Sequence, residues 1–250
     1  MWKLLCAVAI VCGMAASAAA FDLQGHRGAR GLAPENTLEG FRAALAIGVT
    51  TLETDLGVTK DGALVLTHDR TLNPDITRAA DGRWVEAPGP TVRSLTLSEL
   101  KGYDVGRTRP GTKYAQQFPA QTPADGARIP TLAELFGLAK AMGSSVRFNI
   151  ETKISPDQPG ETVDPETFAE LVVKGVREAD LANRATVQSF DWRTLKAVQA
   201  RAPEIATVCL TAPNSVRDRT TDGVRRPSPW LAGLDPSDVG GSRPRLAKAA

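Results

Sequence analysis

Two histidines, and no others, occur in this chain of 250 residues: His26 in Gly25-His26-Arg27-Gly28 and His68 in Thr67-His68-Asp69. Imidazoles exchange protons near neutral pH, and the stretch between these two carries Glu53 and Asp55. Those residue types suit metal-assisted acid/base chemistry. The carboxylates are two apart in a run that reads as a strand, so both project from one face, with Leu52, Thr54 and Leu56 on the other. Neighbouring carboxylates repel unless a cation lies between them. Oxygen ligands without a Cys or His cluster suit a hard divalent ion, Ca2+ or Mg2+. Asn149-Ile150-Glu151-Thr152-Lys153 repeats the pattern: Glu151 can complete the metal site, and Lys153 can bring a point charge to a phosphate. Arg27 adds a forked donor of the kind that recognises phosphate. A lone charged pair on a strand is ordinarily solvated surface. Three carboxylates, two histidines, a lysine and an arginine at strand ends of one domain point to a site instead.

The elements that must position these groups alternate in type. Short runs over Asp22–His26, Thr51–Val58, Ala63–Thr67, Val146–Lys153, Thr186–Phe190 and Ile205–Leu210, all but the first carrying β-branched residues, predict strands. Apolar residues at helical spacing predict helices over Thr37–Ile47, Leu97–Leu100, Thr131–Met142, Pro165–Ala179 and Asp191–Ala202. Strand and helix in alternation imply a mostly parallel α/β sheet covered by helices. Between them, roughly residues 70–128 are rich in Gly, Pro, Asp and Thr, too long for a simple connection, and read as an insertion.

Residues 1–20 have the form of an export signal: Lys3 at the start, an apolar run from Leu4 to Met14, then small residues to Ala20. The expectation is a periplasmic or secreted bacterial protein without stable membrane insertion. Cys6 and Cys12 would leave with the signal, so Cys209 alone remains and no intrachain disulfide forms. A net charge of +2 gives no footprint for nucleic acid. Nothing in the sequence sets an oligomeric state.

Taken in order, Gly25-His26-Arg27-Gly28, Pro34-Glu35-Asn36-Thr37, Glu53-Thr54-Asp55, Lys60-Asp61-Gly62, Thr67-His68-Asp69 and Asn149-Ile150-Glu151-Thr152-Lys153 resemble the glycerophosphodiester phosphodiesterases. Tyr103-Asp104-Val105-Gly106, Tyr114, Phe118-Pro119 and Ile129-Pro130-Thr131-Leu132 resemble the insertion of that family's exported branch. The resemblance implies a TIM-type (β/α)8 barrel of the PLC-like phosphodiesterase kind, over residues 21–250, with an insertion after the third strand. Only six strands can be read, so it also implies that the last strand–helix units are missing and the barrel incomplete. Carried over, it makes Glu53, Asp55 and Glu151 ligands of one divalent cation, with Glu35 close by as a further candidate. It makes His26 and His68 the acid/base pair and Arg27 and Lys153 the phosphate contacts. Gln188 and Phe190 would line the pocket. The expected reaction is hydrolysis of a small glycerophosphodiester to sn-glycerol 3-phosphate and an alcohol. The alternatives are a phospholipase D-like or phosphoinositide-type lipase on the same barrel, and an inactive fragment that binds phosphodiesters.

Overall fold

The computed structural model describes residues 21–213, 219–221 and 224–250. The expected export signal lies outside the described residues. All six expected strands form: β1 (Gln24–Gly25), β2 (Thr51–Val58), β3 (Leu64–Leu66), β4 (Arg147–Thr152), β5 (Ala185–Ser189) and β6 (Ala206–Cys209). A small antiparallel hairpin, β7 (Arg219–Thr221) with β8 (Val224–Arg226), was not anticipated. The helices are α1 (Leu38–Ile47), α2 (Leu97–Leu100), α3 (Lys113–Gln117), α4 (Leu132–Ala141), α5 (Pro165–Glu178), α6 (Trp192–Arg201) and α7 (Arg243–Ala249).

Local chemistry explains where the helices begin. Thr37, Thr131, Asp164 and Asp191 are N-caps whose side chains accept from backbone N–H groups that the first turn leaves unpaired. Glu134 completes a capping box with Thr131, and Pro165 occupies the first turn of α5, where its missing N–H costs nothing. Gly48 ends α1 in the left-handed conformation, at φ 89°.

The sheet runs β1-β2-β4-β5-β6, every pairing parallel, with α1, α4, α5 and α6 as the crossovers. Parallel strands wound in chain order with helices on one side are the layout of a TIM-type α/β barrel. The third strand departs from it: β3 pairs antiparallel to β2 and is a hairpin arm rather than a stave. Strand faces sort as their period of two requires. Leu52, Leu56, Phe148, Ile150 and Val187 are fully buried, in one core with Phe41, Leu135, Phe168, Val172 and Trp192 of the helices. Burying each such side chain contributes about 1.5–3 kcal/mol.

The long segment between β3 and α4 folds around a small core of its own, Val65, Leu72, Val85, Val92, Leu100, Val105 and Ile129. It is stitched to the loop after β1 by Thr122 N–H donating to the Leu32 carbonyl at 2.8 Å and Gln121 Nε2 to the Arg30 carbonyl at 2.8 Å. Among the described residues no helix is long and apolar enough to cross a membrane.

Candidate active site

Register alone assembles the acidic cluster. Asp55 of β2 lies opposite Glu151 of β4, which lies opposite Gln188 of β5, so three strands place these side chains in one row. Glu53 sits two residues before Asp55 on the same face. Ligand oxygens of Glu53, Asp55 and Glu151 all lie within 4.8 Å of one another, and all three residues are buried. Buried like charges are costly unless something compensates them. Burial and the Asp55 charge push Glu53 up to about 8, and burial raises Glu151 despite the pull of Lys153. Among the described residues Asp55 Oδ1 is buried without a hydrogen-bond partner. Three hard oxygen donors, two reluctant to ionise and one orphaned, fit a divalent cation.

Side chains around the cluster hold it in place. Gln188 Nε2 donates to Glu53 Oε1 at 3.1 Å while its Oε1 accepts from Asn149 Nδ2 at 3.0 Å, which fixes the amide's orientation. Lys153 Nζ is 2.7 Å from Glu151 Oε1 and 3.6 Å from Asp55 Oδ1. The Arg27 backbone N–H donates to Glu53 Oε2 at 2.8 Å. Its guanidinium donates to both oxygens of Glu35, at 3.1 and 3.2 Å, and Nε lies 3.2 Å from Asp55 Oδ2 without hydrogen-bonding geometry. Both cations read from the sequence as phosphate contacts are thus also the counter-charges of the carboxylates. Glu35 is not one of the three clustered donors. Both its oxygens are engaged by Arg27, and one also accepts from the Tyr114 hydroxyl.

The loop after β1 can present His26 and Arg27 because Arg27 and Asn36 adopt φ 53° and 51°, and Gly28 adopts φ 84°. A Cβ on Gly28 would come within 2.7 Å of the Gly40 backbone in α1, so only glycine lets the loop lie on the helix. Gly28→Ala is expected to cost on the order of 1–3 kcal/mol, read as a lowered denaturation midpoint, and to displace the Arg27 N–H from Glu53. An unchanged midpoint would contradict this close approach.

His26 Nε2 stands 3.8 Å from Glu53 Oε2 with the ring half exposed. Burial, then the charges of Arg30 and Arg27, lower its pKa to about 4, so the imidazole is neutral at pH 7 and this contact is no ion pair there. His68 is held differently. Its Nδ1 is 2.7 Å from Asp69 Oδ1, and Asp69 Oδ2 accepts from Asn73 Nδ2 at 2.7 Å, an arrangement that orients the ring and leaves Nε2 uncommitted. A cleft lined by His68, Asp69, Asn73, Glu35 and Asn36 adjoins the ring. Phe190, just past β5, is half-buried.

Three site residues were not singled out from the sequence. Asn36 donates to Asp55 Oδ2 at 3.0 Å and accepts from the Thr54 hydroxyl at 3.0 Å. Asn between a Glu and a helix-capping Thr was readable as a cap but not as a partner 19 residues away. Asp69 orients His68 from the next position, where an adjacent His-Asp pair was a usable signal. Tyr114 reaches Glu35 from the insertion, and no local pattern announces that contact.

The geometry agrees with what the chain is similar to. The Glycerophosphoryl diester phosphodiesterase family profile matches residues 26–235. A glycerophosphodiester phosphodiesterase of Caldanaerobacter subterraneus subsp. tengcongensis is 32% identical over 180 residues, covering 72% of this chain and 62% of the relative. A crystal structure from Silicibacter pomeroyi DSS-3, provisionally named a glycerophosphoryl diester phosphodiesterase, superposes with a TM-score of 0.73 at 35% identity, over 77% of this chain and 66% of that one. An Oleispira antarctica phosphodiesterase, solved in complex with the product sn-glycerol-3-phosphate, shares the fold at 23% identity and a TM-score of 0.57, over 91% of this chain and 81% of that one. The matches therefore span somewhat under two thirds of the first two relatives. With the profile running from His26 through the acidic cluster and beyond β5, the chain belongs to the glycerophosphoryl diester phosphodiesterase family.

Proposed function

We propose that this protein hydrolyses glycerophosphodiesters to sn-glycerol 3-phosphate and an alcohol, with one divalent cation, Ca2+ or Mg2+, held by Glu53, Asp55 and Glu151. The observation that carries the reading is the buried cluster of three carboxylates, one with an orphaned oxygen, between an unpaired neutral histidine and a second histidine oriented by a carboxylate. When bound, such an ion polarises a phosphoryl oxygen and acidifies a nearby hydroxyl.

The chain's own groups divide the rest. Neutral His26 accepts a proton from the attacking hydroxyl, whether of water or of the substrate's glycerol. His68, its ring set by Asp69, donates a proton to the leaving alkoxide through Nε2. Arg27 and Lys153 hold the carboxylates in place, and both lie where positive charge opposes the charge that develops on the phosphoryl oxygens. Gln188 fixes Glu53, and Phe190 supplies an apolar wall to the pocket. The proposal extends to the setting: residues 1–20 read as an export signal, which places the reaction in the periplasm or outside the cell, on deacylated phospholipids.

The test is release of sn-glycerol 3-phosphate from glycerophosphocholine and glycerophosphoethanolamine. The expected result is release that stops on treatment with EDTA and returns with added Ca2+ or Mg2+. Turnover undiminished in chelator would overturn the metal assignment, and no release with any divalent ion would overturn the activity.

A further inference from the structure

Arg27 and Lys153 both end on carboxylates. A third cation beside the site does not. Arg30, half-buried in the loop after β1, lays its guanidinium over the Phe118 ring, with Cζ 5.0 Å from the centroid. Gln121 Nε2 pins its backbone carbonyl from the insertion. Among the described residues its side chain has neither a hydrogen bond nor an ion pair with any carboxylate, although the charges of Glu35, Asp55 and Glu53 all act on it. Of the charges around His26, that of Arg30 acts most strongly, ahead of Arg27.

Charge balance gives this lone cation a role. Four buried carboxyl groups, Glu35, Glu53, Asp55 and Glu151, face two cations, Arg27 and Lys153, which leaves two negative charges uncompensated once all four have given up their protons. A divalent cation on the cluster brings the set to neutrality. A phosphodiester arriving next carries one negative charge, and the positive group without a carboxylate partner is Arg30. Stacking on Phe118 holds the guanidinium plane still without using its N–H groups, so its fork remains open to two oxygens of one phosphate. An ordered, half-desolvated cation with no counter-ion gains more from an incoming anion than a solvated one does.

We propose that Arg30, braced on Phe118, is a substrate-binding residue that takes the non-ester oxygens of the phosphodiester. This deepens the reading of the site given above and rests on it for the identity of the anion.

The experiment compares the wild type with Arg30→Gln, Arg30→Lys and Phe118→Leu. Calorimetry measures binding of sn-glycerol 3-phosphate and of inorganic phosphate to the Mg2+-saturated protein, and kinetics uses glycerophosphocholine. Losing a charged hydrogen-bonding pair weakens binding by about 10–100-fold. Arg30→Gln is therefore expected to weaken both ligands and to raise KM by that factor while kcat changes less than about threefold, as for a contact made equally in ground and transition states. Mg2+ affinity should be unchanged. Arg30→Lys should recover part of the loss through charge alone, and Phe118→Leu should show a smaller defect of the same kind. Wild-type phosphate affinity and KM in Arg30→Gln would overturn the proposal, as would a defect confined to kcat or accompanied by loss of Mg2+ binding. Weaker phosphate binding in Arg30→Gln, in a protein that hydrolyses no diester, would support the Arg30 assignment while overturning the function.

Discussion

His68→Ala is expected to lower kcat for glycerophosphocholine by about 10²–10⁴-fold, the usual range for loss of a general acid, and to leave divalent-ion affinity unchanged. The ring is not among the clustered oxygen donors, and Asp69, itself bonded by Asn73, holds it at Nδ1. The same change at His26 should cost a similar factor by removing the proposed base, which is neutral at pH 7. The leaving group separates the two roles. A glycerol phosphodiester of p-nitrophenol expels an anion that needs no proton, so His68→Ala should lose little on it, whereas His26→Ala should lose as much as on the natural ester. Equal losses for both variants on both esters would show that the assigned division between them is wrong.

Removal of a cluster carboxylate is expected to have the other large effect. Asp55 is the central member: it lies between Glu53 on its own strand and Glu151 across the register, and its buried Oδ1 has no hydrogen-bond partner. Asp55→Asn keeps the shape, and Asn36 and Arg27 still surround the side chain. The site loses a full charge toward the cation. Hydrolysis should fall to background at micromolar ion and recover in part at millimolar ion. The thermal stabilisation expected of the wild type at saturating ion, about 2.7 kcal/mol at one hundred times Kd, should disappear at the same ion concentration. Glu53→Gln should behave alike but more mildly, because Glu53 is also held by Arg27 N–H and Gln188.

How far all this could be read from the sequence depended on the range of the interactions. The strand carrying Glu53 and Asp55 announced itself because alternation on β2 is a purely local property, and α1, α4, α5 and α6 began within a residue of their expected starts because Ser/Thr/Asp caps act over one turn. The direction of β3 was legible in principle. Residues 59–63 are too few to carry a crossover, so the strand after them had to return antiparallel. The pairings of the charged groups were not legible. Arg27 meets Glu35 because three residues of one loop adopt left-handed backbone, and Tyr114 meets Glu35 across 79 positions. The distribution of the cations was hidden for the same reason. Arg27 and Lys153 looked free for phosphate until the fold supplied their carboxylates, and Arg30 had no distinguishing neighbour in the chain until the insertion placed Phe118 beneath it.

The most direct measurement is a calorimetric titration of the metal-stripped protein with Ca2+ and with Mg2+, run beside Asp55→Asn, with sn-glycerol 3-phosphate release followed in the same samples. The wild type should bind one ion per chain, release a proton as Glu53 gives it up, and gain hydrolysis in step with occupancy. The variant should show neither in the same concentration range. Binding of the ion undiminished in Asp55→Asn, or hydrolysis by wild type that does not track its occupancy, would contradict a catalytic cation on Glu53, Asp55 and Glu151.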